Sequence, residues 1–436
     1  MQKIIGYKQI GKLAVPVILA QSVVLITGMI DLAFIGPYGT AAIAAVSIAN
    51  ALCATLFNFL EGFRLGTTVL IAKASAENNV SKAAAIVNAG LFLAAMVGIL
   101  FLVFASDISS TVYTIAGNEQ MRYHGMDYLK VWLWTIPIIL FSYVLIGLFR
   151  ALSDTTTPLY SSLVVCLLNV FLDYLFVCGG FGFPSMGVKG AAYGTLFANL
   201  AGLLIIAFLA RKKPYTNQYI QLKLSFQSQL KEYIALAIDV GLNTGFTLLA
   251  LLIFVWLIKP LGTAALAVHQ ITLQVFNFAY LPAIGFLITA SIIVSQLVEH
   301  QRDSLMPTVS RICKMSFSVI FVTSCLIFIF SSAISNLFSP ADKLVAEQAA
   351  QTLKLICLGQ LFSSIYMVLR GTLTACKDTR FIVYEGWVSS YLIFLPLAYL
   401  LAVKSGYGIY GGYVAFLLWC ITDCVALSLR FYLRSR

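Results

Sequence analysis

Twelve predominantly apolar stretches, each about 20 residues or longer, follow one another along this 436-residue chain with little sequence left between them. Each is long enough to cross the hydrocarbon core of a bilayer as a helix. In lipid every backbone N–H and C=O must be satisfied within the segment, so the spans are predicted as α-helices. Hydrophobic residues make up 60% of the chain and charged residues 10%, against roughly 45–50% and 25% in soluble domains. That composition excludes a soluble enzyme, a secreted disulfide scaffold and a disordered chain. The nine cysteines fall mostly inside apolar stretches without paired metal-ligand spacing, and read as small core residues.

Turn and charge signals place the helices at 11–35, 40–72, 83–106, 124–151, 157–178, 188–210, 230–258, 263–298, 310–336, 347–375, 381–402 and 408–431. The basic N-terminus followed by apolar residues reads as the first spanning helix rather than a signal peptide, because the apolar run is too long and holds an Asp. Sorting Lys and Arg by alternate loops leaves twenty on the side of both termini, Lys3, Lys223, Arg302 and Arg436 among them, against seven on the other. Both termini are therefore expected in the cytoplasm of a bacterial-type plasma (inner) membrane protein. The formal charge of +11 then marks orientation, not a nucleic-acid partner.

The chain also repeats itself. At an offset of 223 residues, Gly39-Thr40-Ala41-Ala42-Ile43-Ala44 falls on Gly262-Thr263-Ala264-Ala265-Leu266-Ala267, Pro37 on Pro260, and Gly62-Phe63 on Gly285-Phe286. Farther on, Phe149-Arg150-Ala151 and Leu369-Arg370-Gly371 are each followed by an Asp-Thr pair, Asp154-Thr155 and Asp378-Thr379, with four extra residues in the second copy; Gly187 and Gly190 echo Gly408 and Gly411. Six spans separate the copies, an even number. We therefore expect an all-α integral membrane protein of two parallel six-helix bundles, residues 1–210 and 230–436, joined by a cytoplasmic linker 211–229. A pseudo-two-fold along the membrane normal relates the bundles, an architecture of transporters.

Acidic residues inside a bilayer are costly and mark ion or substrate paths by default. Asp31 lies about 18 residues into helix 1 and Asp173 about 16 into helix 5, so at 1.5 Å per residue both reach the outer half of the membrane. Asn169 shares a helix face with Asp173, and Thr195 enters helix 6 to the same level. Two carboxylates, an amide and a hydroxyl supply oxygens for a hard cation such as Na⁺, or the acid pair holds a proton, because burial and like charge raise carboxyl pKa values. Under the repeat Asp31 falls on Phe254 and Asp173 near Leu397, so the ion chemistry is expected in the first half only.

Other polar residues are weaker candidates for substrate or gating contacts. Glu61 and Arg64 are positioned to pair along helix 2, Asp239 lies near the start of helix 7, and His269 beside Gln270 reads as a hydrogen-bonded packing residue. Glu385 is expected within reach of loop cations, and Asp423 stands alone on helix 12. Pro16 removes a backbone hydrogen bond from helix 1 and marks a hinge below Asp31. Gly406-Tyr407-Gly408-Ile409-Tyr410-Gly411 spells a dinucleotide fingerprint but follows a membrane helix, so it is set aside. No Walker, His-Glu-x-x-His or nucleophile-elbow motif occurs, which argues against an enzyme.

On these residues the chain resembles the multidrug and toxic compound extrusion (MATE) family over nearly its whole length. The likeness rests on Leu13, Ala14 and Pro16 with an Asp fifteen residues later, on the Arg-Ala/Gly and Asp-Thr loops of both halves, and on Asn169-x-x-x-Asp173 with Thr195, which is similar to the DinF-like branch. The resemblance implies a secondary active multidrug antiporter, with no cofactor. An inward H⁺ or Na⁺ gradient drives export of amphipathic, often cationic, organic compounds; a monomer in the lipid bilayer is expected. The alternative is a flippase of lipid-linked saccharides or a similar lipid-like substrate, which would need a strongly basic cavity.

Overall fold

The computed structural model describes residues 5–116, 119–221, 226–298, 302–340 and 342–435; Lys3, Lys223 and Arg436, counted above for orientation, lie outside them. The apolar stretches form twelve long helices among the described residues. They are α1 (Tyr7–Ile35), α2 (Thr40–Ala76), α3 (Val80–Ala116), α4 (Glu119–Ala151), α5 (Thr156–Cys178), α6 (Val188–Lys212), α7 (Gln227–Ile258), α8 (Thr263–Leu297), α9 (Leu305–Phe338), α10 (Lys343–Ala375), α11 (Thr379–Lys404) and α12 (Gly408–Ser435). A one-turn helix, Pro214–Asn217, follows α6. In α11 the α-helical turns pass into π-helical ones over Val388–Phe394 and Tyr399–Lys404. α3 runs ten residues past its expected end at 106. Its polar continuation is held by side chains: Ser109 Oγ donates to the Met126 carbonyl at 2.6 Å and Tyr113 OH to the Ala45 carbonyl at 2.6 Å.

The helices pack as two units whose limits differ from those expected from chain order. One unit contains residues 19–238; the other contains residues 1–18 with 239–436. α1 is thus shared between the units just past Pro16, although it remains helical through that proline. The reason is local packing. Ile10 and Ala14 sit in a core with Ala283, Phe286 and Ala290 of α8, and Val17 packs on Ile288 and Ile292. The first turns of α7 belong to the other unit for the same kind of reason: Tyr233 hydrogen-bonds Thr67 at 2.7 Å, and the Ala237 carbonyl touches α2 at Gly62.

The repeat is written in the backbone. Gly39 and Gly262 take φ +92° and +97° with nearly equal ψ, each after a short 3₁₀ turn; only glycine adopts that conformation freely. Gly190 and Gly411 mark close helix approaches, where a Cβ would sit 2.6 Å from the Phe176 carbonyl oxygen and 2.4 Å from that of Leu401. The Asp-Thr loops also match. Asp154 N–H donates to the Phe149 carbonyl and Asp378 N–H to the Leu373 carbonyl, both at 2.9 Å. The four extra residues of the second copy are therefore about one more turn of α10 after Arg370.

Both aspartates do the same work. Asp154 accepts from Lys213 Nζ at 3.0 Å, Tyr215 OH at 2.6 Å and Thr157 Oγ1 at 2.6 Å, tying the start of α5 to the chain leaving α6. Asp378 accepts from Arg430 at 2.8 and 3.1 Å and pairs with Arg434 at 2.9 Å, tying the start of α11 to the end of α12. Burial alone would raise both carboxyls. At Asp154 the hydrogen bonds from Thr157, Tyr215 and Lys213 outweigh it, and at Asp378 those from Arg430 and Arg434 do, so both are held below the usual carboxylate range. A carboxyl depressed on folding contributes stability above its unfolded pKa of about 3.9, and that contribution is lost as pH falls below it. Thermal unfolding of the wild type is therefore expected to drop more steeply below about pH 4 than that of the double variant Asp154→Asn/Asp378→Asn. Parallel curves for the two proteins would show that the clamps do not contribute in this way.

Candidate cation site

Asp31 of α1, Asn169 and Asp173 of α5 and Thr195 of α6 meet inside the unit of residues 19–238. Asn169 and Asp173 stand one turn apart and are 1% and 0% exposed. The Asp31 and Asp173 carboxyls lie within hydrogen-bonding reach of each other, and Thr195 within reach of Asp31. Asn169 Nδ2 donates to Thr195 Oγ1 at 3.3 Å. α6 comes close enough because residue 194 is glycine: a Cβ there would sit 2.3 Å from Asp173 Oδ1. The depth arithmetic from the sequence and this geometry agree in bringing the four residues together.

Four buried oxygens of this cluster have no hydrogen-bond partner: Asp31 Oδ1, Asn169 Oδ1 and both carboxylate oxygens of Asp173. Leaving a buried acceptor unsatisfied costs about 1–3 kcal/mol, and more when it is charged. Two facing carboxylates add Coulomb repulsion on the order of 4 kcal/mol at 4 Å and an effective dielectric of 20. A single positive charge answers both terms. A shared proton would turn one acid into a donor, and a Na⁺ ion would take the same oxygens as ligands.

Tyr128 of α4 was not expected here. Its buried hydroxyl donates to Asn50 Oδ1 at 3.3 Å and lies within electrostatic range of both acids. Nothing in the sequence distinguishes it from the many other aromatic residues.

The second half fills the matching place with rings. Phe254, aligned with Asp31, packs edge-on against His269 at 5.4 Å and at a tilt against Phe394 at 5.2 Å. His269 is a hydrogen-bonded packing residue, its Nδ1 2.9 Å from Tyr413 OH; neighbouring Gln270 is exposed. Asp239 accepts a hydrogen bond from Thr379. Glu61 and Arg64 pair as expected, at 2.8 and 2.6 Å, with Arg64 4.9 Å over the Tyr143 ring. Arg150, counted among the basic residues on the side of the termini, is buried at the end of α4 near that pair, with Nε unpartnered.

Two expectations are corrected. Glu385 is not with loop cations, and Asp423 is not alone: they face each other in the second unit, 8% and 7% exposed. Buried acid chemistry is therefore not confined to the first half.

The MatE family model matches the chain twice, over residues 16–175 and 242–400. The chain belongs to the MatE family. The double match restates the internal repeat, and membership makes the protein a multi-pass membrane transporter and not an enzyme. Relatives include the probable multidrug resistance protein NorM of Thermotoga maritima, 25% identical over 98% of this chain and 92% of that protein. The multidrug resistance protein MdtK of Edwardsiella ictaluri is 24% identical over 96% and 93%. Among solved structures, an outward-facing multidrug resistance MATE family transporter of the MOP superfamily superposes with TM-score 0.90 at 18% identity, covering 98% of this chain and 95% of that one. The eukaryotic MATE transporter AtDTX14 gives 0.87 at 16%, with 98% and 95% covered. At such identities the likeness establishes the MATE fold, with which the helix count and repeat agree.

Proposed function

We propose that the protein is a secondary active multidrug antiporter. It exports amphipathic, often cationic, organic compounds in exchange for H⁺ or Na⁺ bound at Asp31, Asn169, Asp173 and Thr195. The observation that carries this reading is the pair of adjacent buried carboxylates with four unpaired oxygens among these residues. With the cation bound, α1 and α5 hold together at the site. When it leaves, two like charges face each other, and α1, which lacks one backbone hydrogen bond at Pro16, bends to separate them. Drug and cation then compete for the first bundle.

In this reading the protein works as a monomer in the inner membrane with both termini in the cytoplasm. The halves 1–210 and 230–436 act as its two lobes, and its site is of the DinF-like kind. The flippase alternative requires a strongly basic cavity. Among the described residues, the buried cations of the first unit are Arg64 and Arg150, and Glu61 already neutralises Arg64.

The test is efflux of ethidium from proteoliposomes under a Na⁺ gradient and a pH gradient imposed separately. Efflux driven by one of them is the expected result and identifies the ion. Absence of efflux under both gradients, in protein that binds ethidium, would overturn the antiport reading.

A further inference from the structure

Glu385 of α11 and Asp423 of α12 form a second buried acid pair, and the structure gives its two members unequal surroundings. Asp423 is within hydrogen-bonding reach of Ser389 and of the Trp419 N–H, and Trp419 Nε1 also donates to Ser389 Oγ at 3.1 Å. Both oxygens of Glu385 lack a donor, as does Asp423 Oδ1. Asn243, against Gly386 and donating to the Ile382 carbonyl at 2.9 Å, leaves its own buried Oδ1 unpaired beside the same turns of α11. Two acids thus face each other with three unsatisfied oxygens, out of water, where a double negative charge is not sustainable.

We propose that Glu385 and Asp423 hold one proton between them, carried on Glu385 and directed at Asp423 Oδ1, with Arg370 as the fixed counter-charge. Arg370 of α10 lies within electrostatic range of both acids and donates to Thr244 Oγ1 at 3.0 Å. One arginine, two carboxyls and one proton sum to zero charge. The groups around Asp423 favour a proton over a metal ion, because the Trp419 N–H offers no lone pair and the Arg370 charge opposes a further cation. The other titratable groups facing the pair are Tyr366 from α10, Tyr280 from α8, and Cys420 and Cys424 from α12 itself. All of these are neutral when protonated, so they leave the charge count unchanged. The π-helical turns begin at Val388, three residues after Glu385, and such turns recur at functional sites. The extra turn of α10 supplies the geometry: it sets Arg370 inward of the Asp378 clamp, where its counterpart Arg150 has no such acids.

Binding of this proton does not rest on the antiport reading. Infrared titration of the reconstituted protein, read at the carbonyl stretch of protonated carboxylic acids, tests it. Beside the signals of its other carboxyls, the wild type is expected to show a component from the Glu385–Asp423 pair. Glu385→Gln removes that component, and a wild-type size-exclusion profile reports that the variant is folded. Asp423→Asn changes the pH at which the component titrates, since the partner acid is gone. Persistence of an unchanged spectrum in Glu385→Gln, or loss of the Glu385 component on adding NaCl at constant pH, overturns the proposal. Asp173→Asn leaves the Glu385 component in place, and its loss there would overturn the assignment to this pair.

Discussion

Asp173→Asn is expected to cut gradient-driven drug efflux by about a hundredfold or more while leaving the protein folded. A hundredfold corresponds to roughly 2.7 kcal/mol, within the usual size of a coupling free energy between two ligands. Asn keeps the shape of Asp but removes the charge that binding and release of the cation must change. It also gives the site an N–H donor facing Asp31. The buried like-charge contact disappears, so the Tm is expected to hold or rise by a few degrees. Asp31→Asn should behave alike, because either acid alone lacks a partner to repel. The measurement pairs efflux from proteoliposomes with thermal unfolding of the same preparation. Wild-type efflux in Asp173→Asn would remove the site from the coupling mechanism, whatever the stability result.

The second large effect is structural. Gly190→Val and Gly411→Val are each expected to abolish recovery of folded, monodisperse protein. At both positions the added Cβ meets a backbone carbonyl of the neighbouring helix at 2.6 Å or less. A backbone atom cannot turn aside as a side chain does. Overpacking a core typically costs about 1–3 kcal/mol, and separating a whole helix pair adds lost contact along its length. Gly28→Ala and Gly245→Ala, where nothing lies within 4 Å, serve as controls and should leave yield and Tm unchanged. Size-exclusion profiles decide the matter: a wild-type profile and Tm for Gly411→Val would show that α11 and α12 do not approach as described.

The spans and the first acid site were legible because each depends on distance along a single helix. Length and apolarity define a span, and residue counting from one membrane face puts Asp31 and Asp173 at one depth. The Glu385–Asp423 pair was missed because its register is set across two helices. Yet a signal was present. Glu385 lies seven residues after Asp378 and Asp423 seven before Arg430, so once Asp378 is clamped to Arg430 the two acids of these antiparallel helices must share a level. The first half follows the same rule, with Asp173 nineteen residues after Asp154 and Thr195 eighteen before Lys213. The burial of Arg150 was not legible: a basic residue at a helix end counts toward the charge of that membrane face, and only packing shows that this one turns inward. Tyr128 had no periodic or spacing signal at all, since its role depends on where α4 crosses the acids.

The division of α1 past Pro16 also constrains how the chain is made. Its first three turns find their partners, Phe286, Ile288 and Ile292 among them, only after seven further helices have been synthesised. Until then the opening segment of the nascent polypeptide must wait in the membrane with its packing face unfilled. A long-range closure of this kind slows assembly and exposes apolar surface to wrong partners meanwhile. The N-terminal half, expressed alone, is therefore the wrong unit to ask for autonomous folding; co-expression of the two halves supplies what the ribosome would otherwise deliver last.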